Sequence, residues 1–340
     1  MKVLAIESSC DDTSIAIVDT SKKIQYLQTI NHQKFHKEFG GVVPEMAARQ
    51  HLDIMDMVLK NLTPKQLKSV DYIAATYGPG LIGGLIVGSS VAKGLAIAFN
   101  KPLLPINHLQ AHLLSPRLIA NVSFPYLCLL VSGGNTAIVL IESAKKFKIL
   151  GSTIDDSAGE CFDKVAKVMG LGYPGGPALE KKAVGGDPHF FQLPSPLTKT
   201  KNCNFSFSGL KTAAIKIIQT HHKEKHFEKN FASSFQESVS NILKIKIENA
   251  LSVLKKKNII VKDFSVCGGV AANKKINYDL KKYVNSQNIN FYQVPLSLCT
   301  DNAAMIGWNA LELSKTYKFK KNNYNIRPTP NILINESFIK

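Results

Sequence analysis

Residues 107–112 read Asn-His-Leu-Gln-Ala-His. Asn107 is a good helix N-cap. His108 and His112, four apart, would then share one face of the following helix. Two imidazoles so placed could grip a metal, as in H-E-x-x-H zinc proteases. Leu109 stands where that motif carries its general-base Glu, so the stretch lacks the part that cuts peptides. The competing reading is that both histidines only cap and line a helix. A pair of imidazoles is an incomplete site and needs a third ligand. Asp301, in the stretch CTDNAAM just ahead of a helical pattern, could supply it. Two His and one carboxylate suit iron or zinc with open positions.

Other carboxylates also have chemical uses. The stretch DDSAGECFDKVAK holds Asp155, Asp156, Glu160 and Asp163. Ser157 with Glu160 three residues on reads as a capping box, so Glu160 is expected to serve the cap. Asp163 falls in the first turns of that helix, from which it could reach a cleft. Asp11 and Asp12 sit in the first polar turn. They could hold a metal-bound or water-bound phosphate, or simply form an Asx-turn.

Two Gly-rich turns could bind anions. LVSGGNT (130–136) and GGVAAN (268–273) expose backbone N–H groups next to strands or helices, and such groups cradle phosphate oxygens. Neither turn is a Walker A loop or a dinucleotide fingerprint. Glycine in a tight turn needs no ligand. The functional reading gains if the turns face each other, one from each half of the chain.

The elements that must position these groups repeat. VLAIES, SIAIVD and IQYLQTIN read as three strands. A helical pattern over about 43–61, the strand VDYIAATYG, a helix to about Phe99 and the short strand PLLPI follow. The pattern then restarts with YLCLLVS, TAIVLIE and FKILGST. Helices are expected over 158–169, 175–184, 208–220, 230–257, 270–284 and 302–316, with strands at FSVCGG and INFYQVP. The stretch 185–207 reads as a long loop. The likeness of the halves implies duplication. The expected architecture is α/β, with domains at 1–120 and 121–301, the first completed by a C-terminal helix over 302–325. A ligand cleft is expected between them.

The chain has 340 residues, 45% hydrophobic, enough for two medium domains. No apolar run reaches transmembrane length, and a cytoplasmic location is expected. Six scattered cysteines without a C-x-x-C pair fit reduced thiols. Of the net charge of +17, residues 1–120 carry +3 (12 basic, 9 acidic) and residues 121–340 carry +14 (30 basic, 16 acidic). A basic half points to a polyanionic partner, nucleic acid first. A Lys-, Asn- and Ile-rich composition from an AT-rich genome is the alternative source of that charge.

Taken in order, IESSCDDTSIAIV, FGGVVPEMAARQH, YGPGLIGGLIVG, INHLQAH, LLVSGGNT, DDSAGECFDKVAK, YPGGP, FSFSGLKT, CGGVAANK and CTDNAAM cover nearly the whole chain. Together they resemble the tRNA N6-adenosine threonylcarbamoyltransferases, in particular the bacterial-type catalytic subunit formerly described as a glycoprotease. The resemblance implies the actin-like ATPase, sugar kinase and Hsp70-type fold, two duplicated RNase H-like domains. It implies acyl transfer: a threonylcarbamoyl group passes from threonylcarbamoyl-adenylate to N6 of adenosine 37 in tRNAs reading ANN codons, and AMP leaves.

By motif match the resemblance makes His108, His112 and Asp301 ligands of one divalent metal, Fe(II) or alternatively Zn(II). It makes Leu130, Val131, Ser132, Gly133, Gly134, Asp163, Gly176, Glu180 and Asn273 substrate-binding positions. Asp11 and Asp163 are the candidate general bases. The backbone of Ser132, Gly133 and Gly134 would hold phosphate or carbamoyl oxygens. The implied partners are tRNA, gripped through lysines such as those at 255–257 and 145–148, a shorter paralogous subunit and a small ATPase. Three departures from the family pattern stand out. Asp12 occupies a position where many relatives have Glu. The inner residues between the histidines are Leu-Gln-Ala. Leu130 stands where the archaeal and eukaryotic branch has a Tyr ligand, leaving three protein ligands. A kinase on the same scaffold would not need His108, and a noncatalytic paralogue would lack the HxxxH stretch.

Overall fold

The structure is a computed structural model describing residues 1–36, 39, 41–317, 319 and 324–339. The chain divides into two compact units. The first comprises Met1–Asn121, Ser143–Phe147 and Thr300–Lys340; the second comprises Val122–Glu142 and Lys148–Cys299.

In chain order the elements of residues 1–121 are β1 (Lys2–Glu7), β2 (Asp12–Asp19), β3 (Ile24–Asn31), α1 (Gln33–His36), α2 (Pro44–Lys60), α3 (Pro64–Ser69), β4 (Tyr72–Gly78), α4 (Ile82–Ala98), β5 (Leu103–Asn107) and α5 (His108–Ile119). The sheet order is β3-β2-β1-β4-β5. β1 pairs antiparallel with β2 and parallel with β4, and β4 pairs parallel with β5. β1 is apolar and buried on both faces because helices cover the sheet on both sides. Leu4 and Ile6 pack with Ile54, Met55 and Val58 of α2 and Ala92 and Ala96 of α4. Between them, Ala5 faces the other way.

The following elements are β6 (Tyr126–Val131), β7 (Thr136–Ser143), β8 (Lys146–Ser152), α6 (Ala158–Val168), α7 (Gly175–Lys182), α8 (Ser208–His221), α9 (Phe227–Lys256), β9 (Asp263–Cys267), α10 (Lys274–Ser286), β10 (Asn290–Gln293) and α11 (Leu296–Cys299). Their sheet runs β10-β9-β6-β7-β8. β6 is antiparallel to β7 and parallel to β9. Read from the other edge, this is the order of the first sheet: an antiparallel three-strand meander continued by two parallel strands. The repeat expected from the sequence is a repeat of topology.

The chain then returns to the first unit with α12 (Ala303–Ser314), which packs on β1, β2 and α5. A Cβ at Gly307 would lie 3.2 Å from Val18 and 3.3 Å from Ala5, so α12 approaches the sheet closely there. The expected helix over 302–325 ends at Ser314. Residues 318 and 320–323 of that expectation lie outside the described residues, and 324–329 carry no helix. The helix expected over 270–284 begins instead as a 3-10 turn (Gly269–Ala272) and restarts at Lys274, because Asn273 caps the second segment. Helices α1, α3 and α11 are not among the expected elements; each is six residues or shorter. Among the described residues no helix is long and apolar enough to cross a membrane.

Candidate metal centre

The first unit brings two chain ends of secondary structure together. Asn107 closes β5 and caps α5, its Oδ1 accepting from the backbone N–H of Leu109 at 3.0 Å and of Gln110 at 3.2 Å. This puts His108 and His112 on the first turns of α5. Asn302 caps α12 in the same way, accepting from Met305 N at 3.1 Å, which fixes Asp301 just before that helix. Asp301 Oδ1 lies 2.9 Å from His112 Nε2 and 3.4 Å from His108 Nε2. One ligand atom from each of the three residues falls within 4.8 Å of the others.

Behind His108 stands Glu7, the last residue of β1, which is fully buried. Its Oε2 is 3.0 Å from His108 Nδ1. Ser9 N donates to Glu7 Oε1 at 2.6 Å, and the Thr76 hydroxyl donates to Oε2. The Ser9 hydroxyl also contacts His108 Nδ1 at 3.2 Å. His112 has no such support: its Nδ1 is buried without a hydrogen-bond partner. Glu7 is absent from the sequence-based candidates. Its one signal is a carboxylate ending an otherwise apolar strand.

Charges alternate along this line. Burial alone would disfavour a charged His108, but Glu7 and Asp301 on either side push its pKa well above the ordinary imidazole value. Burial would raise the Asp301 carboxyl, yet His108 and His112 bring it well below the carboxylate range. Burial would raise Glu7 too, and His108 again brings the carboxyl down. Two carboxylates thus hold positive charge on His108, the charge that a cation at Nε2 would supply. Two imidazole nitrogens and one carboxylate oxygen, with a second carboxylate behind one imidazole, are a donor set that fits a divalent metal.

The Ser8–Asp11 turn is held against this centre by α2 and α4. The Ser8 hydroxyl donates to Gly84 O at 2.9 Å. A Cβ at Gly84 would meet Ser8 O at 2.2 Å, and one at Gly88 would meet Ser8 Oγ at 2.1 Å. Gly84 and Gly88 of the GLIGGLIVG stretch are therefore spaced for this turn. Below it, the buried His51 and His32 share the Thr13 hydroxyl at 2.8 and 3.0 Å, and His51 Nε2 contacts Cys10 O at 3.1 Å. Burial, with help from His51 and His36, pushes the His32 pKa down to about 4. Asp12 is the first residue of β2, and its Oδ1 accepts from Asn31 Nδ2 at 2.8 Å. Burial, then the Asp301 and Asp11 charges, push Asp12 up to about 8. Burial also raises Asp11, whose Oδ2 is buried without a partner.

The second unit holds the sequence-predicted substrate-binding residues. Both Gly-rich turns belong to it, which corrects the expectation of one turn from each half. β6 and β9 are adjacent parallel strands, so the turns that follow them meet. A Cβ at Gly268 (φ +94°) would lie 2.5 Å from Val131 O, so only glycine fits this approach. Leu130 and Val131 are buried in the core of the unit. Ser132 N donates to Asn135 O at 2.8 Å and is thus consumed by the turn itself. Gly133 and Gly134 are exposed.

Ser157 caps α6 through Glu160 N at 3.0 Å, and its hydroxyl donates to Gly133 O. The Glu160 carboxylate takes no part in that cap and pairs with Lys164 at 2.7 Å. Asp163 Oδ1 accepts from Gly175 N at 2.7 Å, tying α7 to α6. Gly176 is the second residue of α7, with open space where a Cβ would be. Glu180 accepts from Lys274 N at 2.8 Å, and Asn273 caps α10 through Ile276 N at 3.0 Å while donating to Gln236 at 2.7 Å. These residues tie the start of α7 to α6 and the far end of α7 to the start of α10. The lysines at 255–257, and Lys145, Lys146 and Lys148, are exposed.

The family model for tRNA N6-adenosine threonylcarbamoyltransferase matches residues 24–308. The chain belongs to the tRNA N6-adenosine threonylcarbamoyltransferase family. A protein of that name from Wolbachia sp. subsp. Brugia malayi is 44% identical over 329 residues, covering 96% of this chain and 97% of that one. Its namesake from Zymomonas mobilis is 45% identical over 314 residues (91% and 86%), and that from Rickettsia conorii is 44% identical over 330 (95% and 96%).

Among solved structures, HypF from T. kodakarensis superposes with a TM-score of 0.63 at 13% identity, covering 92% of this chain and 48% of that one. Component A of Acidaminococcus fermentans (R)-2-hydroxyglutaryl-CoA dehydratase gives 0.54 at 14% identity, covering 92% and 99%. These two likenesses are of fold alone. The chain is thus a member of an enzyme family with an actin-like ATPase fold.

Proposed function

We propose that this chain is the acyl-transfer subunit that moves a threonylcarbamoyl group from threonylcarbamoyl-adenylate to N6 of adenosine 37 in ANN-reading tRNAs. The observation that carries the reading is the convergence of His108, His112 and Asp301 in a chain about 44% identical, end to end, to proteins of that name. In the reaction N6 attacks the carbamoyl carbon, the bond from that carbon to the phosphate oxygen breaks, N6 loses a proton and AMP departs. The donor is a mixed anhydride, so no protein nucleophile is required.

His108, His112 and Asp301 would hold one divalent metal, Fe(II) in preference to Zn(II). When bound, it supplies Lewis-acid polarisation and orientation of the acyl donor. With three protein ligands a further position is open to water or substrate. Gly133 and Gly134 are the turn residues left to offer backbone N–H groups to acyl or phosphate oxygens, since Ser132 N is engaged by Asn135. Asp163, Gly176, Glu180 and Asn273 would line the nucleotide side, mainly by fixing α7 between α6 and the start of α10. Asp11 is the better proton acceptor of the two candidates: its Oδ2 has no partner and its pKa is raised, whereas Asp163 Oδ1 already accepts from Gly175 N. A raised pKa makes the Asp11 carboxylate a stronger base than an ordinary one. The exposed lysines at 255–257 and 145–148 would contact tRNA phosphates, so binding should weaken steeply with salt. A shorter paralogue and a small ATPase are the proposed partners, and the cytoplasm the proposed location.

The test is a reconstituted transfer reaction with threonylcarbamoyl-adenylate, unmodified ANN-reading tRNA and partner proteins, the nucleosides being read by mass spectrometry. Modified adenosine from the wild type and not from His108→Ala/His112→Ala supports the reading. Equal product from both overturns the role of the histidines. No product from either, with partners of proven activity, overturns the transferase assignment.

A further inference from the structure

We propose that Glu7 is the positioning residue of the metal centre: it fixes the His108 ring so that Nε2, and not Nδ1, is presented beside Asp301 and His112. The proposal rests on reading His108, His112 and Asp301 as metal ligands.

An imidazole on a helix can rotate about its side-chain bonds and can carry its proton on either nitrogen. Which nitrogen is free to bind a metal is set by the hydrogen bond of the other. Here Glu7 Oε2 sits 3.0 Å from His108 Nδ1. A carboxylate accepts only, so Nδ1 must carry the hydrogen and Nε2 is the nitrogen left for a ligand role. On that side Asp301 Oδ1 is 3.4 Å away. The Glu7 carboxylate is itself held at both oxygens, by Ser9 N on Oε1 and by the Thr76 hydroxyl on Oε2. Ser9 is in the turn after β1 and Thr76 is on the neighbouring strand β4, so two elements fix the carboxylate that fixes the ring. Glu7 is fully buried, and nothing in β1 packing calls for a charge there. The other five residues of β1 are Lys2, Val3, Leu4, Ala5 and Ile6. A carboxylate enclosed at the end of such a strand requires a charged or hydrogen-bonding reason. His112 has no equivalent support, since its Nδ1 is without a partner. The ring of His108 is therefore the preset ligand, and Asp301 and His112 complete the set around it.

The test uses the full-length protein, stripped of metal, as wild type, Glu7→Gln, His108→Ala and His112→Ala. Affinities for Zn(II) and Co(II) are measured by competition with a chromophoric chelator. The Co(II) absorption spectrum is recorded at saturation, and folding is checked by circular dichroism. Glu7→Gln keeps the size of the side chain and removes its charge. The expected result is metal binding weaker by about 10–100-fold, as for other outer-shell carboxylates, with a shifted Co(II) spectrum and a native fold. A merely structural Glu7 would leave the spectrum of the saturated site unchanged. Wild-type affinity and spectrum in Glu7→Gln, with metal lost in both histidine variants, overturns the role of Glu7 and leaves the ligand reading standing. Metal retained in both histidine variants overturns the ligand reading and this inference together. Should Glu7→Gln fail to fold, Glu7→Asp is measured in its place: the charge is kept but its reach is shortened, and the same weakening or its absence decides.

Discussion

His112 Nε2 lies 2.9 Å from Asp301 Oδ1, although 189 positions separate the two residues in the chain. One arrives on the second turn of α5 and the other just before α12, and α5 and α12 pack side by side in the same unit. The proposed ligand set is therefore only as good as the packing of these two helices.

Replacing Asp301 with Asn removes the one carboxylate of the three and leaves two imidazoles. Transfer of the acyl group should fall at least ~100-fold, because binding and orientation of the metal and donor are lost together. Nucleoside mass spectrometry reads the loss, and metal content measured on the same sample should fall in parallel. An Asp301→Asn protein with full metal content and full transfer would contradict this.

The start of α5 is tied to the C-terminal segment. Gln110 Nε2 donates to Ile334 O at 2.8 Å and to Glu336 O at 2.9 Å, and Asn107 Nδ2 donates to Leu333 O at 2.9 Å. Gln110→Ala leaves the buried Ile334 carbonyl without its partner, while Glu336 O keeps Asn107 Nδ2 at 3.2 Å, and costs about 1–3 kcal/mol. A fall in Tm of about 1–4 °C is expected, together with weaker metal binding. Thermal unfolding and chelator competition would measure both. A lower Tm with unchanged metal affinity would confine the segment to a stabilising role.

Asp12 makes stability depend on pH. Its pKa in the folded protein is pushed up to about 8 by burial and by Asp301 and Asp11, while the unfolded chain has the ordinary value near ~4. Between those values the folded state holds a proton that the unfolded state has lost. Stability from this group is complete below about pH 4 and declines as pH rises through about 8. In metal-free protein, Asp12→Asn should raise the Tm by several degrees at about pH 8 and change it little at about pH 4. Equal pH profiles for the two proteins would rule the effect out.

Gly159 sits where the start of α6 meets the Ser132–Gly134 turn. A Cβ there would lie 2.4 Å from Ser132 O and 2.8 Å from the Gly133 Cα, both backbone atoms that cannot rotate away. Gly159→Ala should destabilise the protein by about 1–3 kcal/mol. Because it displaces the turn proposed to hold the acyl donor, KM for threonylcarbamoyl-adenylate should rise more than KM for tRNA. Steady-state kinetics varying each substrate in turn distinguishes this from a general loss of folded protein, which would lower kcat alone.

Local chemistry was legible from the residues alone. Alternation and apolar runs located the strands of both sheets, and Asn107 and Ser157 announced the helices they cap. The four-residue spacing of His108 and His112 is a property of one helix turn, so it needs no tertiary knowledge. The order of the motifs identified the family. The errors fall where local signals give out. The helix expected to 325 stops at Ser314, and the Glu160 carboxylate turns to Lys164 instead of the cap.

What only the folded chain decided is which distant groups share a place. The order β10-β9-β6-β7-β8 puts both Gly-rich turns in one unit, because β6 and β9 pair in parallel although a long stretch of chain lies between them. Periodicity says which face of a strand is buried but not which strand lies beside it. For the same reason the sequence could not show that Glu7, at the end of β1, backs His108 at the start of α5, or that residues 333–336 cover Asn107 and Gln110. The Glu7–His108 and Gln110–Ile334 bonds join buried groups, and burial is what made their pairing obligatory. The residues determined the chemistry available to the site, and the packing of β1, α5 and α12 decided which atoms face one another.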